Sequence, residues 1–196
     1  MIHIIGDSHS RCFEQDGDKT IIAHWLGAAT ALNLWKKNKI IEEIILTNGR
    51  ENKYWFCFGE IDCRIHIYNK HMETDVPEYV LITNTVNSYV VYLASLKCKY
   101  DISILPAPPQ GTQENYFEYP HYGTREHRQE ITDYFNMWLE EMCIREKVPF
   151  KDIWYNKPDY SRPLWDTKDF KEDKCYIKNS VARKHLFKYL EEHENR

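Results

Sequence analysis

Three short apolar runs, each stopped by a turn residue, constrain this chain more than anything else in it. Ile2-His3-Ile4-Ile5 stops at Gly6-Asp7-Ser8. Residues 54–58, aromatic and Cys, stop at Gly59-Glu60-Ile61-Asp62, and residues 101–105 stop at Pro106. Runs this short and this apolar read as buried strands. The stretches between them carry apolar residues at helical spacing. Ile21, Ile22, Trp25, Leu26, Ala29, Leu32 and Trp35 predict a helix over 20–37, interrupted by Gly27. Ile40, Ile41, Ile44 and Ile45 predict a second over 39–47, stopped by Asn48-Gly49. Val80, Thr83, Val86, Val90, Leu93 and Leu96 predict a long helix over 76–96. A helix over 124–146, a short last strand over 149–154 and a closing helix over 178–192 follow, with an aromatic loop at 114–122 and a polar, irregular stretch at 155–176. Strands alternating with helices imply a parallel sheet covered on both faces. The expected fold is α/β: a three-layer α/β/α sandwich around a central parallel sheet, with residues 1–196 as one domain.

Composition removes several classes of function. Net charge is −4, with both signs mixed along the chain and no Lys/Arg-rich run, so no nucleic-acid partner is expected. No run approaches the roughly 18 apolar residues of a membrane span. The sequence shows no basic, apolar leader, so a cytoplasmic location is expected. Six cysteines are scattered without a Cys-x-x-Cys pair, which fits buried thiols in a reducing compartment. No Gly-x-Gly-x-x-Gly, phosphate-cradling loop or His-x-x-x-His occurs, so neither a cofactor nor a metal is expected. The 6 Trp and 14 Tyr are a hint of carbohydrate, since such rings stack on sugars.

In a parallel sheet all strand C-termini lie on one edge, where α/β folds place their ligands. Ser8, Asp62 and the loop after Leu105 should converge there. A serine nucleophile needs a base, a group to orient the base, and oxyanion donors. The backbone N–H groups of Ser8 and Gly27 are candidate donors. Taken alone, Gly6-Asp7-Ser8 also reads as a plain turn and helix cap.

Gly6-Asp7-Ser8, Gly27 within Trp25-Leu26-Gly27, and Gly59-Glu60-Ile61-Asp62-Cys63-Arg64 together resemble the ordered blocks of the SGNH/GDSL hydrolase superfamily. The resemblance implies a flavodoxin-like three-layer fold and hydrolysis of lipid, carbohydrate or other acyl esters, with some relatives transferring acetyl groups. It implies Ser8 as nucleophile and Gly27 as the second oxyanion donor. It makes Asp173 the residue that orients the base. Two positions depart from the pattern. Ile61 stands where the family has an Asn donor, so either catalysis is weaker or Arg64 or Asn69 substitutes. Arg64 serves either an oxyanion or an ion pair with Glu60 or Asp62. Asp62 reads as a brace or a cap. Tyr176 stands where the family has its histidine base, and a phenol with a pKa near ~10 is a poor base at neutral pH. His66 and His9 are the candidate replacements. His185 reads as a packing residue, His121 as part of the aromatic loop and His193 as part of a charged tail. The implied function is a serine ester hydrolase or acyl (acetyl) transferase acting on a small-molecule or glycan-linked ester. The alternatives are a catalytically silent glycan-binding module and a group-transfer protein of surface-polysaccharide synthesis.

Overall fold

Side chains alternate between two faces along a strand, and here both faces are apolar. Ile5, Tyr54, Phe56, Ile102 and Ile104 face one layer, whereas Ile4, Trp55, Cys57 and Leu105 face the other. The structure, a computed structural model, describes residues 1–13, 20–110, 120–154 and 179–193. Strands β1 (Ile2–Gly6), β2 (Ile21–Trp25), β3 (Lys53–Cys57) and β4 (Asp101–Leu105) form a sheet of order β2-β1-β3-β4. Every neighbouring pair is parallel. Helices α1 (Asn38–Asn48), α2 (Ile67–Thr74), α3 (Glu78–Lys97) and α4 (Arg125–Arg145) pack on the first face. Phe13, Trp154 and helix α5 (Asn179–His193), through Ala182 and Leu186, cover the second. The α/β three-layer arrangement expected from the sequence is present. The chain leaves β1 to one side for β2 and crosses to the other for β3. The C-terminal ends of β1 and β3 therefore flank the crevice of an open α/β sheet.

The region 20–37 is not the helix its spacing predicts. Ile21–Trp25 is a strand, paired with β1 from Ile2↔Ile21 to Gly6↔Trp25. Ile2 N–H donates to Thr20 O at 3.0 Å, and Leu26 N–H donates to Gly6 O at 2.9 Å. A run of five such residues satisfies both templates. The β-branched isoleucines favour the strand once an adjacent edge offers backbone partners. The chain turns after Leu26, and a 3-10 turn at Leu34–Lys37 leads into α1. The predicted last strand is reduced to one parallel bridge, Ile104↔Phe150, with Ile104 N–H on Pro149 O at 2.9 Å and Lys151 N–H on Ile104 O at 2.8 Å. Helix α2 had no counterpart in the periodicity. Residues 155–178, the polar stretch, lie outside the described residues.

Parallel register also stacks three rings on the first face. His3 opposes Tyr54, and Ile5 opposes His24. The His3 ring lies 5.2 Å from His24 and 5.1 Å from Tyr54, and His3 Nδ1 is 2.9 Å from His24 Nε2. Burial, then the neighbouring His3, lowers the His24 pKa to about 4. The folded state thus favours a neutral His24, so His24 weakens the fold as pH falls from about 6.5 toward 4. Asp62, whose pKa is raised to about 7 mainly by burial, works in the opposite direction over that range. The test is therefore differential. The urea midpoint of wild type relative to His24→Phe should be lower at pH 5 than at pH 7, and an identical difference at both would refute the assignment.

Candidate active site

Ser8 opens a 3-10 turn, Ser8–Phe13, directly after β1. Asp7 locks that turn. Its carbonyl accepts from Ser10 N–H at 3.1 Å and from the Ser10 hydroxyl at 2.8 Å, while its carboxylate Oδ1 accepts from His9 N–H at 2.9 Å. His9, Ser10, Cys12 and Phe13 are buried, leaving half-buried Ser8 and exposed Arg11 to face outward. Gly6 makes the turn possible. An added Cβ there would lie 2.6 Å from Cys57 O and 2.7 Å from Ser10 Cβ.

Beneath Ser8 lies a buried charge cluster. His9 Nδ1 is 3.1 Å from Asp7 Oδ1 and 3.4 Å from Glu60 Oε2. The other oxygen of Glu60 accepts from Arg64 Nε at 2.6 Å, and Arg64 Nη1 donates to Pro120 O at 2.6 Å. Tyr122 N–H closes the chain of contacts on Arg64 O at 3.1 Å. Burial pushes the His9 pKa down, but the carboxylates of Glu60 and Asp7 outweigh it and raise the value to about 9. His9 is therefore an imidazolium at neutral pH. A ring that already holds its proton cannot accept one from a neighbouring hydroxyl, so His9 is unsuited to act as the base. The backbone approaches closely here too. Gly59 has φ +114, and a Cβ on it would meet the Phe135 ring at 2.6 Å.

Asp62 begins a π turn, Asp62–His66, in which Ile67 N–H reaches back to Asp62 O. Such turns often mark functional sites. Its carboxylate accepts from Ala31 N–H at 2.7 Å and Leu32 N–H at 3.5 Å, across a sequence gap that joins β3 to the loop after β2. Asp62 thus holds the loop that carries Gly27. Gly27 has φ +71, nothing lies within 4 Å of the position its Cβ would take, and its carbonyl accepts from the Trp25 indole at 3.1 Å.

The structure thus brings Ser8, Gly27, Asp62 and Arg64 to one sheet edge. Arg64 is engaged with Glu60, the ion-pair alternative of the two sequence readings. Ile61 is buried at 7% exposure and brings no side-chain donor. His66 is exposed at the end of the π turn. Asp173 and Tyr176 lie outside the described residues. Glu60, the centre of the charge cluster, was missed as a site residue, although the strand pairing points to it. Gly6 opposes Cys57, so residues 7–9 and 58–60 leave the sheet side by side. A cavity of about 600 Å³ between α4, residues 147–153 and α5 contains none of these residues.

The sheet is parallel in the order β2-β1-β3-β4, with a serine turn directly after β1. No family model matches the chain, and no curated protein matches it in sequence. Solved structures do match it in fold. A Streptococcus pneumoniae protein, provisionally described as a platelet activating factor, is 18% identical with a TM-score of 0.63, over 98% of this chain and 82% of that one. Est24, a carbohydrate acetylesterase from Sinorhizobium meliloti, is 10% identical with a TM-score of 0.58, over 97% and 96%. A GDSL-like lipase from Bacteroides thetaiotaomicron is 11% identical with a TM-score of 0.58, over 97% and 87%.

Proposed function

We propose that the chain is a serine ester hydrolase or acyl transferase acting on a small or glycan-linked acyl ester, with Ser8 as the nucleophile. The observation that carries this reading is the placement of Ser8. It is the half-buried head of a turn held rigid by Asp7 and Gly6, at the C-terminal end of β1, with the Gly27 turn beside it. The Ser8 and Gly27 N–H groups would receive the oxyanion, and Asp62, which accepts from Ala31 N–H, would brace the loop after β2 that carries Gly27. The carbohydrate acetylesterase and lipase of the same fold support an ester substrate. Asp173 is the proposed orienting carboxylate, on the family pattern. Residues 1–196 are proposed to act as one domain.

A second reading is favoured by one observation: Ile61 is buried where the family pattern has a side-chain donor. Losing one oxyanion donor lowers kcat by about 10²–10³, which would suit a silent glycan-binding module. One experiment separates the two. Wild type should hydrolyse p-nitrophenyl acetate and be labelled at Ser8 by a fluorophosphonate, and Ser8→Ala should lose both signals, with kcat down at least about 10³-fold. Equal signals from both proteins would remove Ser8 as nucleophile. A wild type that is neither active nor labelled, yet binds a glycan such as xylotetraose, would establish the silent module.

A further inference from the structure

We propose that Trp25 and Arg11 form a sugar-binding platform beside Ser8, on which the carbohydrate part of an ester substrate stacks. The proposal rests on the reading of Ser8 as nucleophile and narrows its substrate to a glycan-linked ester.

Three independent placements put the platform next to the serine. In a 3-10 turn, side chains at i and i+3 eclipse one another, so Ser8 and Arg11 share the outward face of their turn while His9, Ser10 and Cys12 face inward. The Arg11 guanidinium lies 5.6 Å from the centre of the Trp25 ring. Trp25 is also the register partner of Gly6, two residues before Ser8.

The indole is built for contact rather than left over. It is 55% exposed even with Arg11 over it. Its one polar group, the Nε1–H, is already committed to Gly27 O at 3.1 Å. The ring is thereby fixed, and what it offers a ligand is flat apolar surface. An aromatic plane bound this way loses little entropy on binding. Sugar rings present C–H faces to such a plane and hydroxyls at their rim. A guanidinium supplies planar donors suited to those hydroxyls. The same hydrogen bond couples the platform to Gly27, so a stacked sugar would steady the loop that carries the second oxyanion donor.

The test compares wild type, Trp25→Ala and Trp25→Phe on glucose pentaacetate and on ethyl acetate, which has no ring. The preference for the sugar ester, taken as the ratio of kcat/KM values, should fall about tenfold in Trp25→Ala, the effect of losing one aromatic stack. It should be largely retained in Trp25→Phe. Independently, the Trp25 indole N–H resonance, identified by its absence from Trp25→Ala, should shift when unesterified xylotetraose is titrated into wild type. An unchanged preference in both variants, or a resonance that stays put, overturns the platform. If neither ester is cleaved while the resonance moves, the hydrolase reading fails and the platform stands. Should Trp25→Ala fail to fold, Trp25→Phe and the resonance still decide.

Discussion

Replacing Glu60 by glutamine is expected to destabilise the fold by about 3–5 kcal/mol, the range for removing one partner of a buried ion pair. Against a total stability of about 5–15 kcal/mol, this is a large fraction. The size and one acceptor oxygen are kept, so the loss isolates charge. His9 and Arg64 both lean on this carboxylate, at 3.4 and 2.6 Å, and Arg64 keeps its positive charge without it. Urea unfolding should show the change as a lower midpoint. The pH dependence supplies a second, sharper readout. His9 has a folded pKa of about 9 against an ordinary 6.5, so its contribution is complete below pH 6.5 and is lost as pH rises toward 9. Glu60 is the chief cause raising that value, so in Glu60→Gln the loss should still begin near pH 6.5 but be complete at lower pH. Adding His9→Gln to Glu60→Gln should cost less than the sum of the two single changes, because the contact between the two residues is already broken by the first change. An unchanged midpoint and an unchanged alkaline slope would show that the cluster contributes neither stability nor order to the Ser8 turn.

The sheet was legible in the sequence where one reading dominated. β1, β3 and β4 are short apolar runs closed by Gly or Pro, and α1, α3 and α4 follow 3.6-residue stripes long enough to average out exceptions. β2 was not legible, because Ile21–Trp25 is too short to separate a period of 2 from one of 3.6. α2 was hidden for a different reason. It is only eight residues long and buries a single residue, Ile67, so it carries no apolar stripe to read. Ser8, Gly27, Asp62 and Arg64 were singled out as site candidates from the order of short blocks. Their meeting at one edge follows from parallel pairing alone. The roles of Glu60 and His9 were not readable, since residues 9 and 60 become neighbours only once the register Gly6↔Cys57 is known. Charge sign was equally hidden. A histidine beside a serine suggests a base, and only the two buried carboxylates around His9 show it to be a cation.

Gly6→Ala should sharply slow the chemistry of Ser8. The added carbon would sit 2.6 Å from the carbonyl oxygen of Cys57 and 2.7 Å from Ser10 Cβ. Neither neighbour can swing aside. Cys57 lies in β3, and its oxygen receives Asp7 N–H at 3.4 Å. Ser10 is pinned to Asp7 O by two hydrogen bonds. Relief must come from parting β1 and β3 at their C-terminal ends or from unwinding the turn that starts at Ser8. Overpacking of this kind costs about 1–3 kcal/mol, and a displacement near 1 Å at a reacting group can lower the rate about 10²-fold. Gly49→Ala is the control. Its backbone is left-handed, which costs a side chain about 1–2 kcal/mol, yet the atoms nearest the new carbon belong to the carboxylate of exposed Glu51, which can move away. The two variants should therefore lose similar stability while diverging in function: fluorophosphonate labelling of Ser8 should slow about 10²-fold in Gly6→Ala and by less than tenfold in Gly49→Ala. Wild-type labelling in Gly6→Ala would mean that the tight passage between β1 and Ser8 does not set the position of the hydroxyl.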